Sequence, residues 1–444
     1  MPNKNDEFII EITAMSNDGS GIGHHNDMVV FVRGAFLGDV VICHVIKAKK
    51  NYLVAIIKEF ITKSNDRIES DCPVSVPCGG CVYREINYST ELKNKEQSVY
   101  DAFKRIGHID IKPQSIIAGN RLNYRNKASY PVSFDGVFGF FANKTHRIIK
   151  NHDCKIVPVE FKPILDTVSD YIINNKISIY NENQNSGLIR NLVIRKAFKT
   201  GQIMVVLVIS SNSYPDFSNL ILKLKEVLKE KFASFQLNIN CDKTNVIFGK
   251  KFITLYGKDY ISDELCGLKF NISARSFYQV NPVMTEKLYN KVKEYAKPFG
   301  KTVLDLYCGT GTIGLTLAEN AKKVIGIEIV SEAITNAKEN AKLNNISNVE
   351  FYCADASKAA EIINDNIDIV ILDPPRKGAD MDVLNTIALK YKPEKIVFVS
   401  CNPATLARDA SILNDFSYSV AEYTPVDMFP ATMHVETVVL MTRA

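Results

Sequence analysis

A cysteine and a carboxylate near the end of the chain are the residues whose types suggest chemistry. Cys401 closes an apolar run, is followed by Asn402-Pro403, and lies ahead of a helical stretch at 405–413. In isolation it would be an ordinary buried thiol, but a cysteine between a strand and a helix is placed to have a lowered pKa. Glu436 lies on the last apolar run, where alone it would be an exposed carboxylate of an edge strand. Each becomes a candidate because the other is present.

One thiol and one carboxylate together meet the needs of one reaction, the methylation of uracil at carbon 5. Carbon 5 is a poor nucleophile, and thiolate addition at carbon 6 turns the ring into an enolate that attacks an electrophilic methyl group. A base must then remove the carbon-5 proton so that elimination releases the cysteine. The pair therefore predicts Cys401 as nucleophile and Glu436 as general base. The target base must also leave its stack to reach Cys401.

A glycine-rich turn indicates where a methyl donor would bind. The segment Asp305-Leu-Tyr-Cys-Gly-Thr-Gly-Thr-Ile-Gly314 allows a ligand to approach the backbone at a helix N-terminus. Glu328 ends the next strand, where a carboxylate accepts ribose hydroxyl groups. The Gly-x-Gly-x-x-Gly spacing would also fit a dinucleotide. Asp305 ahead of the glycines, Asp355 after the third strand (suited to an adenine amino group) and Asp373-Pro-Pro-Arg after the fourth favour S-adenosylmethionine.

A parallel sheet is needed to bring these residues together. From about residue 271, short runs rich in Val and Ile alternate with helical stretches, which is typical of a parallel sheet with helices on both faces. The runs are 303–308, 324–329, 349–354, 367–372 and 396–400. Further runs at 416–422 and 434–441 have no helix evident between them, so we expect the last strand to lie antiparallel at the sheet edge.

The first 270 residues predict two further units. Residues 1–62 contain short strands broken by glycine turns, such as the turn at 17–23, which is typical of a small OB-like β-barrel. Residues 63–270 mix strands with a helix near 90–106, a helix that could pack against the C-terminal part. The fold class is therefore α/β overall: an N-terminal barrel, a mixed α+β central domain, and a Rossmann-like class I methyltransferase domain over 271–444.

Charge is concentrated in the middle of the chain. Residues 61–269 carry 30 basic and 21 acidic side chains, whereas the whole chain has a net charge of +5. This excess indicates contact with phosphates. The stretches 121–130 and 190–195 place cations beside aromatic residues, a combination suited to phosphate contact and base stacking. RNA is the expected partner.

Four of the ten cysteines are grouped as metal ligands would be: Cys72, Cys78, Cys81 and Cys154. Their spacing permits either a tetrahedral zinc or an iron–sulfur cluster. Ten cysteines are too few for a disulfide scaffold at this length. The first residues have no apolar leader, and the longest apolar run, 203–209, is far short of the ~20 residues that span a bilayer. We expect a cytoplasmic protein with no membrane contact.

Over nearly its whole length the chain resembles the RNA 5-methyluridine (uracil-C5) methyltransferase family. The matching segments are Ser276-Phe-Tyr-Gln-Val-Asn281, the nucleophile signature at 400–409, and Asp427-Met-Phe-Pro with His434-Val-Glu. The resemblance implies that Cys401 is the nucleophile and Glu436 the base. It also implies that S-adenosylmethionine is bound by Gln279, Tyr307, Glu328 and Asp373.

The same resemblance bears on the front of the chain and on the substrate. It implies a [4Fe–4S] cluster on the four grouped cysteines and an RNA-binding TRAM domain for the barrel. Family members that act on the tRNA T-loop generally lack both features, whereas bacterial 23S ribosomal RNA members carry both or the cluster alone. We therefore expect 23S rRNA as substrate, with tRNA as the alternative. No long amphipathic seam suggests a protein partner, and a monomer is expected.

Two other classes compete with this interpretation. A cytosine-5 methyltransferase shares the thiolate chemistry but is expected to carry a Pro-Cys dipeptide, whereas the order here is Cys401-Asn402-Pro403. A non-catalytic RNA-binding factor would not need Cys401, Glu436 and Gln279 together. Both therefore rank below the uridine enzyme.

Overall fold

A computed structural model describes residues 2–143 and 145–443, and its first strands close into a barrel. The strands are β1 (Glu7–Glu11), β2 (Ala14–Met15), β3 (Gly21–His25), β4 (Met28–Arg33), β5 (Val40–Ala48) and β6 (Tyr52–Thr62). Their order is β1-β5-β6-β4-β3-β2. The segment that carries β1 and β2 pairs with β5 through β1 and with β3 through β2, and the Thr13 N–H group donates to the carbonyl oxygen of Ile22 at 2.9 Å, which closes the sheet into a barrel. A Cβ at Gly23 would lie 2.4 Å from the carbonyl oxygen of Glu11, so the crossing of β1 and β3 requires glycine. The predicted OB-like barrel is confirmed.

The middle of the chain forms a mixed sheet covered by helices. Its elements are α1 (Ser75–Cys78), α2 (Tyr88–Arg105), β7 (Lys127–Pro131), β8 (Gly139–Phe141), β9 (Ile148–Lys150), α3 (Phe161–Asn174), β10 (Ile189–Lys196), β11 (Ile203–Ile209), α4 (Ser218–Leu228), β12 (Phe232–Ile239) and β13 (Lys251–Gly257). The sheet order is β13-β12-β11-β10-β7, and only β11 and β12 run parallel. The central strand β11 is buried at every position, and the apolar faces of α3 and α4 contribute to the same core.

The C-terminal part is a seven-stranded sheet with helices on both faces. Its elements are β14 (Tyr260–Leu265), β15 (Leu268–Ser273), α5 (Pro282–Ala296), β16 (Thr302–Leu306), α6 (Thr312–Ala318), β17 (Lys323–Glu328), α7 (Ser331–Leu343), β18 (Val349–Cys353), α8 (Ala359–Ile362), β19 (Ile369–Leu372), α9 (Met381–Asn385), β20 (Lys395–Ser400), α10 (Pro403–Asn414), β21 (Tyr418–Val426) and β22 (Glu436–Arg443). The order β18-β17-β16-β19-β20-β22-β21 confirms the predicted Rossmann-like class I domain. Among the helices that the structure describes, none is long and apolar enough to cross a membrane.

The last strand is antiparallel, as predicted, but its predicted place at the sheet edge is wrong. β22 lies between β20 and β21 and pairs antiparallel with both, so β21 is the edge strand. The burial pattern explains this order: β22 is buried on both faces at its first four positions, whereas β21 exposes alternate residues at its start. Glu436 therefore begins an interior strand.

The helix α2 packs on the C-terminal domain although it precedes the central sheet in the chain, as the sequence allowed. The Phe103 ring stacks on the Tyr423 ring of β21 with centroids 4.2 Å apart. The buried ammonium group of Lys95 lies 2.8 Å from Glu91 and 2.6 Å from Asp427. Because a buried charge requires its partners, this ion-pair network holds the segment that leads from Asp427 to Glu436 against α2.

Candidate active site

The carboxyl ends of the parallel strands open into a cavity of about 920 Å³. It lies where β16, β17, β19 and β20 end, beneath the segment 275–280. All the residues predicted for donor binding and catalysis line it: Gln279, Tyr307, Glu328, Asp355, Asp373, Cys401 and Glu436. Open α/β sheets bind ligands in this crevice. The structure thus brings the predicted donor-binding residues and the predicted catalytic pair around one space.

The turn that follows β16 forms one wall of the cavity. Tyr307 and Gly309 have φ angles of 64° and 54°, in the left-handed region that is costly for a tyrosine. Glu328 accepts hydrogen bonds from the backbone N–H groups of Gly309 (3.2 Å) and Val330 (2.9 Å), which fixes its carboxylate against the turn. Gly311 has a φ of 78°, and a Cβ there would lie 2.9 Å from the Phe351 ring.

Burial weakens three carboxyl groups in or beneath the cavity as acids: those of Asp305, Asp373 and Glu436. Burial raises the pKa of Asp373 to about 7. Burial, and then the charge of Asp373, raise the pKa of Glu436 to about 8, although the Arg376 guanidinium acts in the opposite direction. Burial, with the charges of Asp373 and Glu328, also raises the pKa of Asp305 to about 8. Such a group of carboxyls favours a cationic ligand.

Asp305 supports the turn and does not line the cavity. Its Oδ2 atom accepts a hydrogen bond from the Gly314 N–H group at 3.0 Å, at the start of α6. Its buried Oδ1 atom has no hydrogen-bond partner among the described residues. The carboxyl therefore orients the turn between strand and helix from below.

Cys401 lies half-buried at the end of β20, and its pKa contradicts the sequence prediction. The next residue, Asn402, caps α10 by accepting a hydrogen bond from the Ala404 N–H group at 3.2 Å. Burial and the charge of Glu436 raise the pKa of the thiol, and the hydrogen bond and charge of Arg376 only partly oppose them. The predicted lowering of the pKa of Cys401 is therefore wrong, because desolvation outweighs the favourable neighbours.

The opposite wall comes from the segment between β15 and α5, which the central sheet holds in place. The Asn126 amide donates to the carbonyl oxygen of Gln279 at 3.0 Å, and the Asn126 N–H group donates to that of Val280 at 2.7 Å. Arg125 lines the cavity beside this pair. In the sequence analysis Arg125 is one cation of the basic stretch 121–130, and no pattern assigns a role to Phe429, which also lines the cavity.

Several cations predicted to face RNA are occupied inside the protein. Arg190 and Arg195 are buried and donate hydrogen bonds to backbone carbonyl oxygens, in the case of Arg195 those of Ser273 (2.8 Å) and Ser276 (2.8 Å). Arg121 donates to the carbonyl oxygens of Ile86 and Tyr83. The prediction of phosphate contact is therefore wrong for these three, because each is committed to tertiary contacts.

The four grouped cysteines are partly buried and free of disulfide bonds. Burial, and then the charges of Cys154, Cys78 and Cys72, raise the pKa of Cys81, so the four thiols are within electrostatic range of one another. Within residues 2–143 and 145–443, no three His, Cys, Asp or Glu side chains are close enough together to hold a metal ion. The four cysteines are thus chemically suitable ligands for a metal bound by thiolates, but their side chains are not arranged as ligands around one metal ion.

The fold and the cavity together define a class I S-adenosylmethionine-dependent methyltransferase. The crystal structure of Pyrococcus abyssi tRNA (uracil-54, C5)-methyltransferase in complex with S-adenosyl-L-homocysteine is similar, with a TM-score of 0.81 and 27% sequence identity. The similarity covers 98% of this chain and 100% of that chain.

The family described as tRNA (Uracil-5-)-methyltransferase matches residues 87–444, and the TRAM domain matches residues 4–58. The chain belongs to the tRNA (Uracil-5-)-methyltransferase family. An RNA methyltransferase of Clostridium tetani is 44% identical over 99% of this chain and 97% of its own length. Another, from Clostridium acetobutylicum, is 42% identical over 99% of this chain and 98% of its own. The protein is therefore an S-adenosylmethionine-dependent RNA methyltransferase of the uracil-5 family, with an RNA-binding TRAM barrel.

Proposed function

We propose that the protein methylates carbon 5 of a uridine in 23S ribosomal RNA through a covalent bond between Cys401 and carbon 6. The observation that carries this proposal is the shared cavity: Cys401 and Glu436 line the same space as the residues predicted to bind the donor. The charge of Glu436 contributes to the raised pKa of Cys401, so the two groups lie within electrostatic range of each other.

The residues divide the proposed reaction between them. Arg376 favours the thiolate of Cys401, whose Sγ atom adds to carbon 6 and moves the ring electrons towards carbon 5. Bound S-adenosylmethionine supplies the electrophilic methyl group. Glu436 in its ionised form accepts the proton of carbon 5, and the electrons of that C–H bond form the double bond between carbon 5 and carbon 6. The Sγ–carbon 6 bond breaks at the same time, and its electrons return to Sγ, which leaves as the thiolate.

We assign the donor site to five of the lining residues: Gln279, Tyr307, Glu328, Asp355 and Asp373. Glu328 accepts one backbone N–H group on each oxygen, and each oxygen keeps a lone pair for a ribose hydroxyl. Asp355 is assigned to the adenine amino group. The raised pKa values of Asp373 and Glu436 support this assignment, because a sulfonium cation would stabilise both carboxylates.

The choice of 23S rRNA is supported by the presence of both the barrel and the four grouped cysteines. A tRNA substrate is the second candidate, and a specific observation favours it. The similar Pyrococcus abyssi enzyme, named for uracil-54 of tRNA, covers 98% of this chain. The barrel by itself therefore does not separate the two substrates, and the choice rests on the cysteines.

Nucleoside analysis after incubation with labelled S-adenosylmethionine tests this choice. Under anaerobic conditions, unmodified 23S rRNA and tRNA transcripts are offered separately to the purified enzyme. We expect label in 5-methyluridine from 23S rRNA alone, since the rRNA carries the target. Label from tRNA alone would keep the chemistry and overturn the substrate, and label in 5-methylcytidine would overturn the target base.

We further propose that Cys72, Cys78, Cys81 and Cys154 hold a [4Fe–4S] cluster that ties α1 to the segment between β9 and α3. Protein purified anaerobically should contain about four irons and four sulfides per chain, and Cys81→Ser should lose them while Cys241→Ser keeps them. Cys241 is an exposed cysteine outside the group, so it controls for loss of a thiol in general. Zinc in place of iron, or full iron content in Cys81→Ser, would contradict the proposal.

The remaining assignments concern organisation. We propose a TRAM domain over 1–62, a central RNA-binding domain over 63–270 and the methyltransferase domain over 271–444, in a cytoplasmic monomer. The end of β6 at Thr62 supports the first boundary. The second falls within β15, whose hairpin with β14 shares its core with the C-terminal sheet.

A further inference from the structure

A second cavity, of about 940 Å³, lies in the central part of the chain and takes no part in the site described above. Its walls are the residues that end β7 and follow it, Phe141 with residues 146–148, the loop 180–183, the start of β10 and the loop 244–247. The segment from Arg125 to Pro131 joins it to the catalytic cavity, and the five residues of β7 within that segment span about 17 Å. The two cavities therefore lie at opposite ends of β7.

One buried arginine holds the walls of this second cavity together. The guanidinium of Arg190 donates to the carbonyl oxygens of Asn240 (2.8 Å), Asp242 (2.7 Å) and Thr244 (3.0 Å). It also lies 4.2 Å from the centre of the Tyr180 ring. Both loops are thus fixed to β10 through a single side chain. These contacts hold the walls of the cavity in fixed positions.

The cavity presents aromatic rings and one exposed arginine to solvent. Phe134 is 74% exposed and Phe141 is 41% exposed, which is unfavourable for large apolar side chains unless something covers them. Arg147 also lines the cavity, and His146 lies 2.9 Å from Glu182, the only acidic residue among the described residues of the lining. Exposed rings beside an arginine form the kind of surface on which unstacked bases bind.

Polar side chains that can form hydrogen bonds to the edge of a base complete the lining. Four side-chain amides are present: Asn181, Asn183, Asn191 and Asn245. The buried hydroxyl of Ser129 also lines the cavity and has no hydrogen-bond partner among the described residues. Amides and hydroxyls can donate to and accept from base edges, so the cavity combines stacking with hydrogen-bond recognition.

We propose that this second cavity binds an unpaired nucleobase of the substrate RNA, on the same strand as the target uridine and several nucleotides away from it. The inference rests on the proposed function for the identity of the RNA. Stacking on Phe134, amide contacts to the base edge and Arg147 near the phosphate supply the binding. The excess of basic over acidic side chains in 61–269, 30 against 21, favours an anionic partner over a neutral protein segment. The exposed Phe134 ring and the side-chain amides of the lining favour nucleobases over an acidic peptide. The site would help to select the RNA, whereas Cys401 and Glu436 act on the target.

The double variant Phe134→Ala/Arg147→Ala tests the proposal. Loss of one stacked base and one phosphate contact should raise the Kd for an unmodified 23S rRNA transcript, and the KM in methylation, at least about fivefold. The kcat should be unchanged, because the catalytic cavity is untouched. A short hairpin that carries only the target loop should bind the variant and the wild type equally.

Phe299→Ala is the matched control, since Phe299 is 85% exposed on the C-terminal domain outside both cavities. Its Kd and KM should equal those of the wild type. An unchanged Kd in a double variant that keeps the wild-type Tm would overturn the proposal, whether the cavity then serves a protein or nothing. Wild-type turnover on the transcript reports separately on the proposed function, so the two can fail independently.

Discussion

Replacement of Cys401 by alanine should lower the rate of methyl transfer by at least about four orders of magnitude, because the proposed reaction requires its Sγ atom to form the bond to carbon 6. Binding of RNA should change less than about twofold, since a half-buried thiol contributes little to contacts with phosphates. Single-turnover transfer of labelled methyl groups and filter binding of the same transcript measure the two quantities. A denaturing gel should also show no protein–RNA adduct.

Cys241→Ala is the control for this experiment, because Cys241 is an exposed cysteine of the central domain. It should methylate at the wild-type rate. Transfer by Cys401→Ala at even a tenth of the wild-type rate would rule out covalent catalysis by this residue. Loss of both transfer and RNA binding, with a lowered Tm, would show that Cys401 stabilises the domain, and Cys401→Ser would then separate packing from chemistry.

Most of the catalytic cavity follows from patterns that are local in the chain. Cys401 and Asp373 each come directly after an apolar run, so an alternation of strands and helices already places them at the carboxyl edge. The turn at 305–314 is likewise contiguous. Such features are predictable because the neighbours that determine them lie within a few residues. This is why every residue predicted for catalysis or donor binding lines one cavity.

Features that depend on residues far apart in the chain cannot be predicted from local sequence patterns. The interior position of β22 depends on where β21 turns, and the fate of Arg190 depends on carbonyl groups some fifty residues later in the chain. The pKa of Cys401 depends on burial and on Glu436, which no local pattern reveals. The cavity around Phe134 is invisible in the sequence for the same reason, since five separate segments build it.

The burial of Glu436 has a consequence for the dependence of the rate on pH. A group with a pKa of about 8 is mostly protonated at neutral pH, and a protonated carboxyl cannot accept the proton of carbon 5. The free enzyme should therefore gain activity as the pH rises towards 8, and the thiol of Cys401, whose pKa is also raised, acts in the same direction. A bound sulfonium cation would shift the profile to lower pH, because it stabilises the carboxylate.

Glu436→Gln should stop the reaction after methyl transfer and leave the RNA bound to Cys401. The amide cannot take the carbon-5 proton, so elimination fails and the methylated adduct accumulates. We expect one methyl group per enzyme in a band that survives denaturing electrophoresis, with turnover lowered at least about a thousandfold. The amide has nearly the same volume, so the fold and the initial addition should be retained.

Glu319→Gln is the matched control, because it makes the same change at a carboxylate that is 79% exposed and paired with Lys293. It should turn over normally and show no stable band. Full turnover by Glu436→Gln would remove Glu436 from the role of base. An adduct without label would place the block before methyl transfer, so that Glu436 would act on donor or base positioning. Only a labelled, stable adduct would show that Glu436, at the start of the interior strand β22, removes the carbon-5 proton in the second half of the reaction.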